Sequence, residues 1–493
     1  MTGWRRWLRR AILIGARVPP LRFALRGICR ALTWEVGREL ADLPGIEAVY
    51  TRHSHPASPT FAPGLSDIDL TVVISDSAAK DPVAVGQCAN RVDHLARVIP
   101  FVWAQDARFV SRRELAQIEA RPGGAEILYL PAGWVRIGGR EVRREGPFPS
   151  IDAKRTALHP EFNAWWHNVM QTHVLTPRTE SSARFCFRVA MKNQLHLQIA
   201  RGRWTPRVEG YLSDADAPSL FADDPAMMTA LSRVDGENRE ASILHRALEA
   251  ASAFYCDLPL PSDATWITLR ARSDAIDQSH RSRLREIFDR EETLRSIAAS
   301  AIVYPTPHWK RREYQIDLIL RDDISPDAFS ASVRRIKRSL GGRTFGIGDT
   351  DAQISLVPRS AFEHPCFYLG TPFPFLHEHV ATCAETLFGS PPRLPAPPPK
   401  VERLRWCASY YLFHRFTMHY RPAYVSKDCN FLQLVAVRLF LENDEVLTEA
   451  EQIQRRVSVP EPLAGASFAA ALRLQSQEYD AVEALLRRTG LLP

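Results

Sequence analysis

Two carboxylates two residues apart on an apolar segment are where this sequence could do chemistry. The run Ser66-Asp67-Ile68-Asp69-Leu70-Thr71-Val72-Val73-Ile74 alternates at its start and then becomes continuously apolar, as an interior strand does. Side chains on a strand alternate between its faces, so Asp67 and Asp69 project from one face, Ile68 and Leu70 from the other. Two carboxylates so close repel each other unless a cation lies between them. A divalent ion is the simplest choice, and hard oxygen ligands suit Mg2+ or Mn2+, which hold nucleotide phosphates and stabilise attacking and leaving oxygens in phosphoryl transfer.

The elements that must position this pair are legible around it. Pro44-Gly45 is a turn signal, and Ile46 to Arg52 reads as a strand ending in His53-Ser54. Val83, Val85, Cys88, Val92, Leu95 and Ala96 have helical spacing and predict a helix over 82–97. The next strand is expected over 98–106, ending in Gln105-Asp106.

From Tyr50 to Ile74 the chain resembles the polymerase-beta-like nucleotidyltransferase superfamily, in which a Gly-Ser turn is followed by an Asp-apolar-Asp strand. The resemblance implies that the turn holds the triphosphate, that the paired acids bind two metal ions, and that a third acid on a nearby strand completes the site. Ser54 matches the serine, Asp67 and Asp69 match the metal-binding pair, and Ser66 directly precedes them. His53 stands where the family has glycine; a protonated imidazole there could itself hold phosphate. Asp106 is the candidate third acid, with Gln105 competing for that position and the cap of a turn as the bland alternative for Asp106. Beyond residue 160 the pattern turns helical, over 162–174, 181–201, 226–231 and 241–253. Arg188 and Lys192, four apart on one helix face, are nucleotide-binding candidates or a solvated cationic face.

Comparing the halves gives a less obvious expectation. Ile68-Asp69-Leu70 recurs as Ile316-Asp317-Leu318, Asp106-Ala107 as Asp351-Ala352, and the Cys186 helix as the Cys429 helix, all displaced by about half the chain. This suggests a duplicated unit whose second copy is degenerate, with Gln315 where the first acid would stand. The domain layout expected is a basic helical segment over 1–45, a nucleotidyltransferase domain over 46–150 and a helical domain over 151–255. A degenerate copy over 256–390 and a second helical domain over 400–493 follow. The fold class is α/β (α+β), with a mixed sheet, flanking helices and helical partners. Pro391 to Pro399 reads as an extended linker.

Composition sets the outer bounds. At 493 residues and 45% hydrophobic content, the chain is long enough for several cores and unlike a disordered one. No uninterrupted stretch of 18 apolar residues occurs. The eight cysteines form no Cys-x-x-Cys pair, which argues against a zinc ribbon or a disulfide framework and for reduced thiols in a cytoplasmic protein. Neither a phosphate-binding Gly-x-x-x-x-Gly-Lys loop nor a Rossmann glycine fingerprint is present, and His377-Glu378-His379 and His414/His419 lack zinc-site spacing.

Of the net charge of +7, most comes from residues 1–45, which hold nine arginines against Glu35, Glu39 and Asp42. Arg17 and Pro19-Pro20 cut the opening apolar run too short for a signal peptide. This segment reads either as a membrane-surface or polyanion contact or as a solvated arginine face packed on the domain behind it. Pro19-Pro20, by splitting it into two short pieces, favours the latter. The function expected is metal-dependent transfer of a nucleoside monophosphate from an NTP to an acceptor hydroxyl of a small molecule or protein. The alternative is a catalytically silent binding or scaffold protein that kept the fold.

Overall fold

A computed structural model describes residues 3–16, 18–52, 55–57, 61, 63, 68–102, 104, 107–120, 134–143, 404, 408, 411 and 468–492 of one compact unit. Of a second it describes residues 245, 248–249, 251–257, 260, 264–269, 278–279, 281–282, 285, 292–305, 314–329, 331–332, 345–347, 350–364 and 376–396. The first unit spans Met1–Ala153, Pro206–Ser213 and Lys400–Pro493; the second spans Lys154–Thr205 and Asp214–Pro399.

The elements of the first unit begin with α1 (Gly3–Gly15), α2 (Pro19–Ala41), β1 (Ile46–Arg52), β2 (Asp69–Ile74), α3 (Pro82–Val98), β3 (Arg108–Ser111), α4 (Arg112–Ala120) and β4 (Val135–Gly139). The second unit contributes β5 (Trp266–Thr268), α5 (Glu292–Ile297), β6 (Ala298–Pro305), β7 (Tyr314–Leu320), β8 (Phe345–Ile347), β9 (Thr350–Pro358), α6 (Arg359–Phe362), α7 (Leu376–Cys383), β10 (Glu385–Gly389) and β11 (Arg393–Pro395). The chain then returns to the first unit with α8 (Phe468–Arg488).

In the first unit the sheet order is β3-β2-β1-β4; β1 is antiparallel to β2 and β4, and β2 is parallel to β3. Parallel pairing needs a crossover, and α3 supplies it. Pro82 opens that helix, and the Asp81 carboxylate accepts from the Val83 N–H at 2.9 Å. One face of the sheet is covered by α2 and α3, where Val36, Leu40, Val85, Val92 and Leu95 bury against Val49, Leu70, Val72 and Phe109. Glycines let α2 come close to β4, because a Cβ on Gly37 would stand 2.2 Å from the Ile137 carbonyl oxygen. The other face carries a smaller cluster of Tyr50, Val73, Val110, Leu115, Trp134 and Val142. α8 docks on this unit through Arg113, which donates to Asp480 at 2.7 Å and pairs with Glu483, and through a Tyr479–Gln117 hydrogen bond.

Two expectations are corrected here. Among the described residues of 98–106 the expected strand does not form: Ile99 ends α3 in extended conformation, residues 99–102 turn, and Val102 makes an isolated bridge, to Ile68. Pro100 has no N–H to give a ladder, and the strand proper begins later, at Arg108. The basic segment does divide at Pro19-Pro20, into α1 and α2, but the second piece is not short. The two prolines occupy the first turn of α2, where a missing N–H is harmless, and that helix runs 23 residues.

The second unit holds a sheet in the order β10-β6-β7-β9-β8. β6 is antiparallel to β10 and β7, β7 is parallel to β9, and β8 is antiparallel to β9. Every residue of β7 is buried, so its polar side chains must find partners inside. Asp317 accepts from Tyr304 Oη at 2.8 Å and from Gln315 Nε2 at 2.9 Å. Glu385, fully buried, is held by Arg281 at 2.6 Å and Arg285 at 3.0 Å. The proline-rich linker is also corrected in part: Arg393–Pro395 pairs as β11 with β5, and the ladder continues through Ala396 N–H to Thr265 at 2.7 Å. A proline is tolerated in a two-stranded ribbon because one side of each strand has no ladder to serve. His377 Nε2 bonds the Pro395 carbonyl.

Candidate functional site

Asp69 is the first residue of β2 and half-buried. Its antiparallel partner on β1 is Arg52, and two residues further along β2 Thr71 pairs with Arg108 of β3. Directly paired residues, and residues two apart on one strand, share a face. Arg52, Asp69, Thr71 and Arg108 therefore lie on the same face of the sheet, the one that carries Tyr50, Val73 and Val110. A carboxylate, a hydroxyl and two guanidinium groups occupy the end of the three strands, and the apolar cluster continues the face behind them.

Sequence reasoning missed Arg52, Thr71 and Arg108. Period two along Tyr50-Thr51-Arg52 and Asp69-Leu70-Thr71 was the available signal; what unites them is the pairing of Arg52 with Asp69 and of Thr71 with Arg108. Arg52 and Thr71 are buried, and the Thr71 hydroxyl has no hydrogen-bond partner among the described residues. Its oxygen and the Asp69 carboxylate are hard donors of the kind Mg2+ or Mn2+ takes, and guanidinium groups match phosphate oxygens. The donors described on this face thus fit a metal–nucleotide in kind. Of the residues singled out in the sequence, His53, Ser54, Ser66, Asp67, Asp106, Arg188 and Lys192 lie outside the described residues, as does Gln105. Among the described residues no group of three His, Cys, Asp or Glu side chains is placed to hold a metal.

The wall beside this face is held by a polar clasp. The buried Tyr50 hydroxyl donates to Glu141 at 2.7 Å and accepts from the Val142 N–H at 3.0 Å. Arg143 pairs with Glu141 at 2.9 Å and lies over the Tyr50 ring, 5.0 Å from its centroid. The Arg143 hydrogen bond draws the Glu141 carboxyl down to about 2, while burial pushes the Tyr50 phenol up to about 12. Beyond β1, buried His55 accepts from the Ala57 N–H at 3.1 Å through Nδ1. Burial, aided by the charge of Arg30, holds its imidazole below the usual histidine range.

None of the four described cysteines is in a disulfide: Cys29 and Cys88 are buried, Cys383 is half-buried and Cys256 is exposed. No described helix is long and apolar enough to cross a membrane. No protein-family model, curated protein or solved structure matches the chain.

Proposed function

We propose that the first unit is a metal-dependent nucleotidyltransferase that moves a nucleoside monophosphate from an NTP to an acceptor hydroxyl and releases pyrophosphate. The observation that carries this reading is the shared face of Asp69, Thr71, Arg52 and Arg108, at the junction of an antiparallel and a parallel strand pair. In this reading Asp67 and Asp69 hold Mg2+ or Mn2+, which when bound screens the phosphate charge and draws electron density from the reacting phosphorus. Ser54, with His53 and Ser66, receives the terminal phosphates, and Arg188 and Lys192 add positive charge. Arg52 and Arg108 neutralise charge as it develops on the departing pyrophosphate, and Asp106 holds the second metal ion or takes the acceptor proton. Catalysis is then chiefly positioning and electrostatic stabilisation.

The same reading includes an internal duplication. It is supported by the repeat of pairings, antiparallel, antiparallel, parallel, along β4-β1-β2-β3 and along β10-β6-β7-β9. The pairing register shifts at Glu47 in one unit and at Ala299 in the other, and beside each shift stands a glycine of positive φ, Gly139 or Gly389. Asp76 accepts from the Arg113 N–H at 2.8 Å, as Asp322 does from the Ser360 N–H at 3.2 Å. Counted from these shifts, Gln315 takes the place of Asp69 and Asp317 that of Thr71. The sequence alignment of Asp69 with Asp317 is thus two residues out of step. The second unit then has a glutamine where the metal ligand would be, and its carboxylate is already engaged by Tyr304 and Gln315.

A second reading, a catalytically silent scaffold, is favoured by Arg52 standing directly across from Asp69, a protein cation where a metal is expected. Calorimetric titration of the full chain with each NTP, in Mg2+ and in Mn2+, separates the two. The transferase reading predicts metal-dependent binding that is lost in Asp67→Asn/Asp69→Asn; a wild type that binds no NTP with either metal selects the scaffold.

A further inference from the structure

We propose that α1 and the start of α2 form an interfacial anchor that lays the first unit on the surface of an anionic lipid bilayer. The proposal stands apart from the nucleotidyltransferase reading and uses none of its residues.

The first 34 residues contain eight arginines and no acidic residue. Along α1, at 100° per residue, Trp4, Trp7, Leu8, Ala11, Ile12 and Ile14 fall on one half of the helix circumference, and positions 5, 6, 9 and 10, all arginine, fall on the other. An apolar stripe of this width belongs against a core, yet Trp4, Trp7 and Ile14 are exposed, Trp7 to 71%. The exposed apolar surface continues on α2 at Val18, Leu21, Phe23 and Ile28, with Phe23 82% exposed. Meanwhile Cys29, Thr33, Val36, Gly37 and Leu40 of the same helix are buried in the first unit, so one end of α2 is fixed in the fold while the other presents this surface. The acids of α2 and the Asp42 that caps it are already committed within the protein: Glu35 and Asp42 to Arg38, and Glu39 to Arg91. The net positive charge of the first 34 residues is thus not offset by any acid within that stretch of sequence.

Charge decides the occupant. A second copy of this chain would bring a like set of eight arginines against these, which opposes association. An anionic bilayer offers negative headgroups to the arginines and, just below them, hydrocarbon for the tryptophans, which favour that boundary. The helix is too short to span and is amphipathic, as a helix lying in the interface must be.

The test is co-sedimentation of the full chain with phosphatidylcholine vesicles and with vesicles carrying about 30 mol % phosphatidylglycerol. The expected result is binding to the anionic vesicles only, weakened by high salt. Arg6→Gln/Arg10→Gln should weaken it by about 25-fold, from about fivefold per basic residue at the surface. Trp4→Ser/Trp7→Ser, which removes exposed rings and leaves the buried half of α2 untouched, should abolish it. The proposal is overturned if the wild type ignores anionic vesicles, binds both kinds equally, or binds as well without its two tryptophans. It is equally overturned if the wild type self-associates without lipid through those tryptophans, or if a polyribonucleotide binds the segment in a manner indifferent to them.

Discussion

Replacing Gly139 by alanine tests how the sheet that carries Asp69 is held. Gly139 ends β4 at φ +68°, a left-handed conformation that costs a residue with a Cβ about 1–2 kcal/mol. The added carbon would stand 2.3 Å from the Glu47 carbonyl oxygen and 2.9 Å from the Ala48 Cα. Both are backbone atoms of β1, so no flexible side chain can give way. β4 must draw back, and the Arg140 N–H bond to that same oxygen, 2.9 Å long, contributes about a further 1 kcal/mol when it is lost. The local cost should be about 3 kcal/mol, read as about a 100-fold loss of amide-exchange protection in peptides covering 46–52 and 135–142. Gly389, at φ +74° and with the Ala299 oxygen 2.2 Å from where a Cβ would stand, should respond alike, with the loss confined to β6 and β10. Protection within about threefold of wild type in Gly139→Ala would refute this account of the register. A large loss in one variant and none in the other would remove the support it lends to duplication.

Three further outcomes follow from the geometry. Glu385→Gln leaves Arg281 buried without its counter-charge, and should destabilise the second unit by about 3–5 kcal/mol, seen as early loss of exchange protection along β6 and β10. His55 is held below its ordinary 6.5 by burial, so the unfolded chain binds its proton first as pH falls. Stability should be full above about pH 6.5 and decline below it, and His55→Gln should flatten that part of the denaturation-midpoint profile. Arg108→Met should weaken metal-dependent NTP binding by about tenfold, the scale of one charge-assisted hydrogen bond, in the same calorimetric assay. An unchanged affinity would remove Arg108 from the site.

What was legible in the sequence was what local chemistry specifies. Apolar alternation and a turn signal placed β1 at Ile46–Arg52, and helical spacing placed α3 over 82–97, one residue short of its end at Val98. What was not legible depends on partners distant in the chain. Val98 to Asp106 has strand composition, but Pro100 and the turn of residues 99–102 displace the ladder to Arg108–Ser111. Pro391 to Pro399 reads as a linker until Trp266–Thr268 is found opposite Arg393–Pro395. Asp69 was found because its neighbours carry a motif. Arg52, Thr71 and Arg108 belong to no motif, and only the pairing of β2 with β1 and with β3 brings Arg52 and Arg108 to its face. The sequence offset between halves aligned Asp69 with Asp317, whereas under the proposed duplication the register shifts align Asp69 with Gln315.

The most direct measurement compares Mg2+-dependent NTP binding by calorimetry in the wild type, in Asp67→Asn/Asp69→Asn and in Asp317→Asn. The account predicts binding in the wild type, its loss in the first variant with the sheet's exchange protection intact, and its retention in Asp317→Asn. Binding that survives without Asp67 and Asp69, or that disappears with Asp317, would contradict the assignment of the site to the first unit.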